Sequence, residues 1–497
     1  MMINFNEFQH MNIEHIFGPS HQEVDNLAFH SKRVEPKSAF FSIKGETFDG
    51  DYYIDEAIDR GATVIIGTDP SLFQYLSYRN PYCTFVVVKN IRKAMASFSK
   101  FFYDSSDENI KTIGVTGTNG KTTVAAYVRS LLTLLGLPTG SIGTAGIWSS
   151  GRKLEYKKST PTTPESLDLH QIFRDFHEMN DEAAVMEVSS IALDQHRVDG
   201  IHFDVAIHTN FSEEHLEYHK TIDHYKECKM RLFKQAKNKV VNIDDKGMGE
   251  DLQKNCKGPM ITYSIDSNPE ADLNAVNIEV MEDGSFFELI YEGKSYSMYV
   301  PVYGTYNVAN VLSAIGTALH LGFTIQEVID VLPALQGPEG RFQVIQTSNN
   351  QKVILDYAHT PVALNRLLEE VKKLNHNRLI VMIAGIGIRD FNKMPKMAAA
   401  IEGKADEVVV TVDHPGYHDP QIIVDQVLTG FQQPSAPNVH TSLTRKEGVL
   451  KSLELGQEND IILLTSGCIN NAQIVRGEEI PHSDEEIIEN YFPPVVQ

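Results

Sequence analysis

Short, continuously apolar runs alternate with amphipathic stretches along most of the chain. Residues 39–43, 62–66 and 84–88 read as strands separated by helical patterns, which predicts a small α/β domain over residues 1–107. A second series of strands is expected at 112–115, 184–188, 205–208 and 240–243, again with helices between them. Strands that are apolar throughout, rather than at every second position, fit a parallel sheet covered on both faces. Residues 276–302 read as a hairpin-like insert, with turns at Glu282-Asp283-Gly284 and Glu292-Gly293, and a helix follows at 308–321. Gln336-Gly337-Pro338-Glu339-Gly340 reads as a linker. Beyond it, strands at 353–355, 379–384, 408–412 and 461–464 alternate with helices in a further doubly wound sheet. The expectation is a three-domain α/β protein divided at 1–107, 108–336 and 337–497, with an active site in the clefts between domains.

Composition narrows the class. A chain of 497 residues exceeds what one core usually serves. Its net charge of −22 leaves nothing to neutralise a nucleic-acid backbone, so no nucleic-acid partner is expected. Cys83, Cys228, Cys256 and Cys468 lie far apart with no C-x-x-C spacing, and read as reduced thiols rather than a disulfide frame or zinc site. The first residues lack a basic region followed by an apolar core, and no apolar run is long enough for a membrane span. A cytoplasmic, monomeric protein is expected.

The chemistry concentrates at strand ends. Gly114-Val115-Thr116-Gly117-Thr118-Asn119-Gly120-Lys121-Thr122-Thr123 joins an apolar strand to a helical pattern at 124–135. Such a turn aims backbone N–H groups and the positive end of a helix at an anion, with glycines allowing close approach. Lys121 would reach terminal phosphates and the Thr122 hydroxyl would hold Mg²⁺. The match to G-x-x-x-x-G-K-[ST] is incomplete, because Val115 stands five before Gly120. A flexible strand–turn–helix corner is the plainer alternative, but the Lys-Thr-Thr follows the last glycine in the required context. Glu187, in Glu187-Val188-Ser189-Ser190, places a carboxylate at a neighbouring strand end, where a Mg²⁺ ligand belongs. The next strand runs into Thr209-Asn210-Phe211-Ser212-Glu213-Glu214-His215-Leu216; a lone histidine there is more often structural. Residues 225–233 form an amphipathic helical pattern in which Lys229, on composition alone, reads as a surface lysine.

Taken in order and with their spacing, these segments resemble the Mur ligases of peptidoglycan synthesis, over nearly the whole chain. The resemblance is greatest to the branch that adds the third amino acid to UDP-N-acetylmuramoyl-L-alanyl-D-glutamate. It implies a central phosphate-loop domain, a Rossmann-like C-terminal domain that binds the amino acid, and a small N-terminal domain that binds the uridine nucleotide. It also implies transfer of the ATP γ-phosphoryl group to a substrate carboxylate, followed by attack of an amine on the acyl phosphate. On that pattern ATP is bound by Gly117, Thr118, Asn119, Gly120, Lys121, Thr122 and Thr123, by Asn307 and Asn310 in Tyr306-Asn307-Val308-Ala309-Asn310, and by Arg341 and Asp356. Thr122, Glu187, His215 and Lys229 would hold Mg²⁺, with Lys229 carbamylated by CO₂ and Asn210 positioning the reacting groups. Ser31, Thr162, Thr163, Ser189, Gln195 and Arg197 correspond to the UDP-substrate site, and residues 44–50 resemble it more loosely.

The amino-acid pocket departs from the pattern. Diaminopimelate-adding members carry Asp-Asn-Pro-Arg where this chain has Asp413-His414-Pro415-Gly416. A glycine cannot pair with a carboxylate, so bidentate recognition is lost there. The family's Gly-Lys-Gly-His-Glu corresponds to Ser466-Gly467-Cys468-Ile469-Asn470, Ile191 replaces a histidine, and the glycine-rich segment before the retained Arg389 and Asp390 is one residue short. Arg389, His414, Gly416, Gly467 and Asn470 are therefore expected to bind an amino acid other than diaminopimelate. Two alternatives stay open at this level: a ligase of specialised metabolism acting on another carboxylate, and a nucleotide-binding homologue without catalysis.

Overall fold

The computed structural model describes every residue except 10, 46–48, 157–158, 282, 339, 467–471 and 493–497, and the side chain of Glu217. The chain forms two compact units: Met1–Tyr263 with Gly316–Phe323, and Ser264–Ile315 with Thr324–Gln497.

In the first unit, one sheet has the order Ile13–Phe17, Thr84–Val88, Ala62–Gly67, Ser38–Phe41, Asn26–Ala28. Its last four strands are parallel and Ile13–Phe17 is an antiparallel edge. The three apolar runs seen in the sequence are its buried centre. The edge strand, Ile-Glu-His-Ile-Phe, is half exposed and carries no such run. A larger sheet sets six parallel strands in the order Thr139–Gly143, Ala183–Glu187, Lys111–Thr116, Phe203–His208, Ala236–Asn242, Met260–Ser264. Lys111–Thr116 comes first in the chain yet lies inside the sheet, so connections leave it in both directions. The segments after Thr116, Glu187 and His208 therefore open at adjacent strand ends, the place where open α/β sheets bind ligands. Beneath them a core that includes Gly114's neighbours Met186, Ala206, Phe203 and Leu232 is closed to solvent. Met186, Phe203 and Leu232 each contribute about 1.5–3 kcal/mol by burial.

The second unit begins with the antiparallel strands Leu273–Val280, Ser285–Tyr291 and Lys294–Val300. The expected turn at Glu292-Gly293 is present, with φ of 48° and 73°, the mirror-image geometry that two-residue hairpins prefer. The other expected turn includes residue 282, outside the described residues. The helix expected from residue 308 starts earlier, as Thr305–His320. A six-stranded sheet follows in the order Gln343–Gln346, Lys352–Asp356, Ile461–Thr465, Leu379–Ile386, Glu407–Asp413, Val439–Thr441. All neighbours are parallel except the first pair. A small hairpin, Ala472–Val475 with Glu478–Pro481, was not expected from sequence. Below the strand end at Asp413, the fully buried Arg445 donates to both Asp484 oxygens and to the carbonyls of Thr465 and Ser466. Burial alone would raise the Asp484 pKa; the charge of Arg445 and the hydrogen bond from His482 outweigh it and hold the carboxyl below its usual range. Among the described residues no helix is long and apolar enough to cross a membrane.

Candidate active site

Gly117 ends the strand Lys111–Thr116, and a Cβ built on it would overlap Thr209 Oγ1. Only glycine lets the phosphate turn pass this close to the next strand end. Gly120 takes the left-handed conformation, φ 86°, and starts the helix Lys121–Leu134 without a side-chain cap. A glycine at this position supplies no capping side chain to compete with an anion at the helix start. Lys121 Nζ donates to the carbonyls of Gly117 at 2.9 Å and Thr118 at 2.8 Å, so the lysine lies along the loop. The neighbouring segment braces the same turn. Thr118 N–H donates to Asn210 O at 2.8 Å, and the Asn210 amide both accepts from Asn119 N–H at 3.0 Å and donates to Asn119 O at 3.1 Å. Asn210 is thereby committed to holding the loop.

Lys229 is the main correction to composition-based reasoning. It is 1% exposed, on the helix Ile222–Lys234 whose buried stripe is Tyr225, Cys228, Lys229, Leu232 and Phe233. Its Nζ donates to Gly117 O at 2.8 Å, the same carbonyl that accepts from Lys121, and lies over the Tyr225 ring. Burial above all, and the nearby Lys121 charge, push the Lys229 ammonium well below the usual lysine range. The amine is therefore held toward its neutral form. Glu214 faces Lys229 with the opposite effect, and sequence reasoning missed that carboxylate although it adjoins His215. His215 has φ 58° and starts the short helix Leu216–His219, with its ring edge-on to Tyr225.

Glu187 is 2% exposed at the end of Ala183–Glu187. Its Oε1 accepts from Thr144 N–H at 2.7 Å and its Oε2 from Thr144 Oγ1 at 3.3 Å. Thr144 was not expected; it follows Thr139–Gly143, a strand whose small polar residues hide it from an apolar-run search. Thr144 Oγ1 lies 3.3 Å from Thr162 Oγ1, and Thr163 Oγ1 donates to Glu187 O and accepts from Ser189 N–H. Arg197 donates to Thr163 O at 2.9 Å and to Gln195 Oε1 at 2.7 Å, and pairs with Glu165, which Arg92 also contacts. Thr162, Thr163, Ser189, Gln195 and Arg197 thus form one connected polar surface running to the Glu187 carboxylate. Ser31 stands apart from it, its hydroxyl donating to Glu56 at 2.9 Å, although nearby Arg33 pairs with Asp168.

In the second unit Asn310 donates to Asn307, which donates to Tyr303 O. Arg341 stacks over the Tyr357 ring at 4.8 Å. Asp356 accepts the N–H groups of Phe342 at 2.9 Å and Ala358 at 2.8 Å. Burial raises its pKa, and Arg341 and those two donors oppose the rise. Arg389 is exposed just past Leu379–Ile386. His414 has its ring Nδ1 accepting from Ile474 N–H at 3.0 Å, and Gly416 N–H donates to Ile474 O at 3.0 Å. The unexpected hairpin thus grips the segment expected to read the amino acid. Gly467, Cys468, Ile469 and Asn470, and residues 46–48 of the looser uridine segment, lie outside the described residues.

A glycine cradle with a lysine along it, a buried carboxylate at a neighbouring strand end and a buried neutral-leaning lysine are the parts that a nucleotide-dependent transferase or ligase site requires. Comparison with known proteins specifies the class. Residues 23–103 match the catalytic domain of the Mur ligase family, 115–318 the Mur ligase middle domain, and 340–468 the Mur ligase glutamate ligase domain. A UDP-N-acetylmuramoyl-L-alanyl-D-glutamate–2,6-diaminopimelate ligase of Clostridium acetobutylicum is 36% identical over 96% of this chain and 97% of its own length. A ligase of the same name from Clostridium botulinum is 34% identical over 95% and 96%. A solved structure of an enzyme so named covers 99% of this chain and 98% of its own, with 26% identity and a TM-score of 0.68. The chain belongs to the Mur ligase family, with its three-domain α/β architecture, and is an ATP-dependent amide ligase.

Proposed function

We propose that this enzyme joins an amino acid to UDP-N-acetylmuramoyl-L-alanyl-D-glutamate, with ATP and Mg²⁺, as a step of peptidoglycan precursor synthesis in the cytoplasm. The observation that carries the reading is Lys229: a lysine 1% exposed, donating to the phosphate-loop carbonyl of Gly117. A surface role is excluded for it, and a buried ammonium costs several kcal/mol. A neutral amine at this position can add CO₂, forming an N–C bond and releasing one proton, to give a carbamate that behaves as a carboxylate. Thr122, Glu187, His215 and carbamylated Lys229 are the residues assigned to Mg²⁺. The donor set fits, since oxygen ligands dominate it and Glu187 is fixed by two hydrogen bonds from Thr144. When bound, the metal supplies charge neutralisation at the transferring phosphoryl group.

The roles of the chain's own groups follow. First-turn N–H groups and Lys121 clamp the ATP phosphates, Asn210 keeps the loop in shape, and Asn307, Asn310, Arg341 and Asp356 serve the nucleoside. Thr162, Thr163, Ser189, Gln195 and Arg197 orient the muramoyl dipeptide, with Ser31 at its uridine end. The carboxylate of the dipeptide attacks the γ-phosphorus and ADP leaves. The amine then attacks the acyl carbon, loses a proton and expels phosphate. The proposed domains are 1–107 for the uridine substrate, 108–336 for ATP and 337–497 for the amino acid, in a monomer.

The names of the relatives specify diaminopimelate, but the proposed amino acid here is a different one. The distal zwitterion of diaminopimelate needs a cation and an anion, and an unpaired buried charge costs several kcal/mol. Gly416 supplies no cation, and the Nδ1 of His414 is spent on Ile474. Arg389 remains for an α-carboxylate. Incubation with ATP, Mg²⁺, the UDP-muramoyl dipeptide and the standard amino acids, diaminopimelate and ornithine is expected to give a product with an amino acid other than diaminopimelate. Gly416→Arg is not expected to restore diaminopimelate use, because φ is 62° and the added Cβ meets Ile388 at 2.9 Å. Turnover with diaminopimelate equal to the best alternative would refute this specificity, and silence with every amine would refute the reaction.

A further inference from the structure

We infer that the chain carries a second metal site, for one Zn²⁺-class ion, built by His219, His224 and Cys228 with Asp194. None of these residues belongs to the set assigned to Mg²⁺. The cysteine spacing gave no zinc motif because the ligands come from three separate elements. The helix Ser190–Asp194 supplies Asp194, Leu216–His219 supplies His219, and Ile222–Lys234 supplies His224 and Cys228 on one face, four residues apart.

The geometry suits a small tetrahedral ion. Ligand atoms of His219, His224 and Cys228 all lie within 4.8 Å of one another. His219 Nδ1 is 3.3 Å from His224 Nδ1, while His224 Nε2 is 3.5 Å from Cys228 Sγ and 3.4 Å from Asp194 Oδ1. Cys228 Sγ is 3.6 Å from that same oxygen. A tetrahedral ion with metal–nitrogen bonds of about 2.0–2.1 Å separates its ligands by roughly these distances.

Outer contacts prepare the set for a metal. His219 is 2% exposed and its Nε2 bonds Ser190 Oγ at 2.9 Å. With Ser190 Oγ accepting, the proton sits on Nε2 and the Nδ1 lone pair is turned toward the cluster, the arrangement in which histidine ligands are usually held. Tyr218 OH donates to Asp194 Oδ2 at 3.0 Å, while Oδ1 faces the cluster and also accepts from Arg231 Nη1 at 3.5 Å. Two imidazoles, a thiolate and a carboxylate select zinc over Mg²⁺, which prefers an all-oxygen octahedron. Binding transfers the Cys228 thiol proton to solvent and ties together the three helices around Lys229.

The test uses the full chain, stripped with chelator under a non-thiol reductant and then titrated with Zn²⁺ in excess Mg²⁺. About one zinc per chain is expected, and Co²⁺ in its place should give a near-ultraviolet thiolate charge-transfer band. Cys228→Ser should remove that band, His224→Gln, at a half-exposed position, should weaken zinc at least about 10-fold, and Ser190→Ala should weaken it about 10–100-fold. Melting curves in chelator check that the variants fold. A wild-type chain that takes up no zinc, or that binds it equally after Cys228→Ser and His224→Gln, overturns the site.

Discussion

Replacing Lys229 by alanine is expected to lower turnover by about 10²–10³-fold or more at saturating ATP, while the protein still folds. Loss of one preorganised charge-stabilising group at a reacting centre has that scale. The fold should survive because alanine is the strongest helix former and the deletion removes a polar group that burial already penalises. Leu232, Phe233 and Tyr225 keep the rest of the stripe in place. Formate should restore part of the rate, since a small carboxylate fits the space the carbamate leaves. Circular dichroism and a phosphate-release assay with and without formate check both halves. Near-normal turnover in Lys229→Ala would remove the carbamate from the mechanism.

Lys121→Ala is expected to lower kcat/KM for ATP by about 10³-fold, with both binding and transfer weakened. The side chain neutralises phosphate charge that grows during transfer, and its two bonds to Gly117 O and Thr118 O also brace the turn. Lys121→Arg should not restore the rate, because a planar fork does not replace a compact ammonium at this turn. A second consequence distinguishes this variant from ordinary loss of a ligand. The Lys121 charge is one of the causes that hold the Lys229 pKa down, after burial. Removing it lets the Lys229 pKa rise, so more ammonium is present at a given pH and less amine is free to take up CO₂. Residual activity of Lys121→Ala should therefore depend more steeply on added bicarbonate, and on higher pH, than that of the wild type. Unchanged kcat and KM would contradict the phosphate role.

Much of this was legible in sequence because it rests on periodicity. Residues 85–88, 113–115 and 379–384 are buried from both sides and carry no polar side chain, which announces them as inner strands. Glu187 and the phosphate turn follow from their places at the ends of such runs. The helix carrying Lys229 shows its burial in the spacing: positions 225, 228, 229, 232 and 233 make one helical stripe, so a lysine there is inside. Its residue type alone had suggested the opposite. What stayed hidden depends on contacts far apart in the chain. Thr144 holds Glu187 across 43 residues and Arg445 meets Asp484 across 39, and neither pairing leaves a local pattern. The hairpin Ala472–Val475 with Glu478–Pro481 is short and largely exposed, without the apolar runs that reveal inner strands. Its bonds to His414 and Gly416 nonetheless bear on the amino-acid pocket.

The central claim is that the dipeptide carboxylate is activated as an acyl phosphate before the amine arrives. The direct measurement uses UDP-N-acetylmuramoyl-L-alanyl-D-glutamate labelled with ¹⁸O in its carboxylates, with ATP, Mg²⁺ and the amino acid that the panel identifies. Mass spectrometry of the released phosphate should find one ¹⁸O transferred for each amide bond formed, with the yield of labelled phosphate falling in step with amide formation when Lys121→Ala replaces the wild type. Amide formation with unlabelled phosphate, or phosphate release that ignores the dipeptide altogether, would contradict the account.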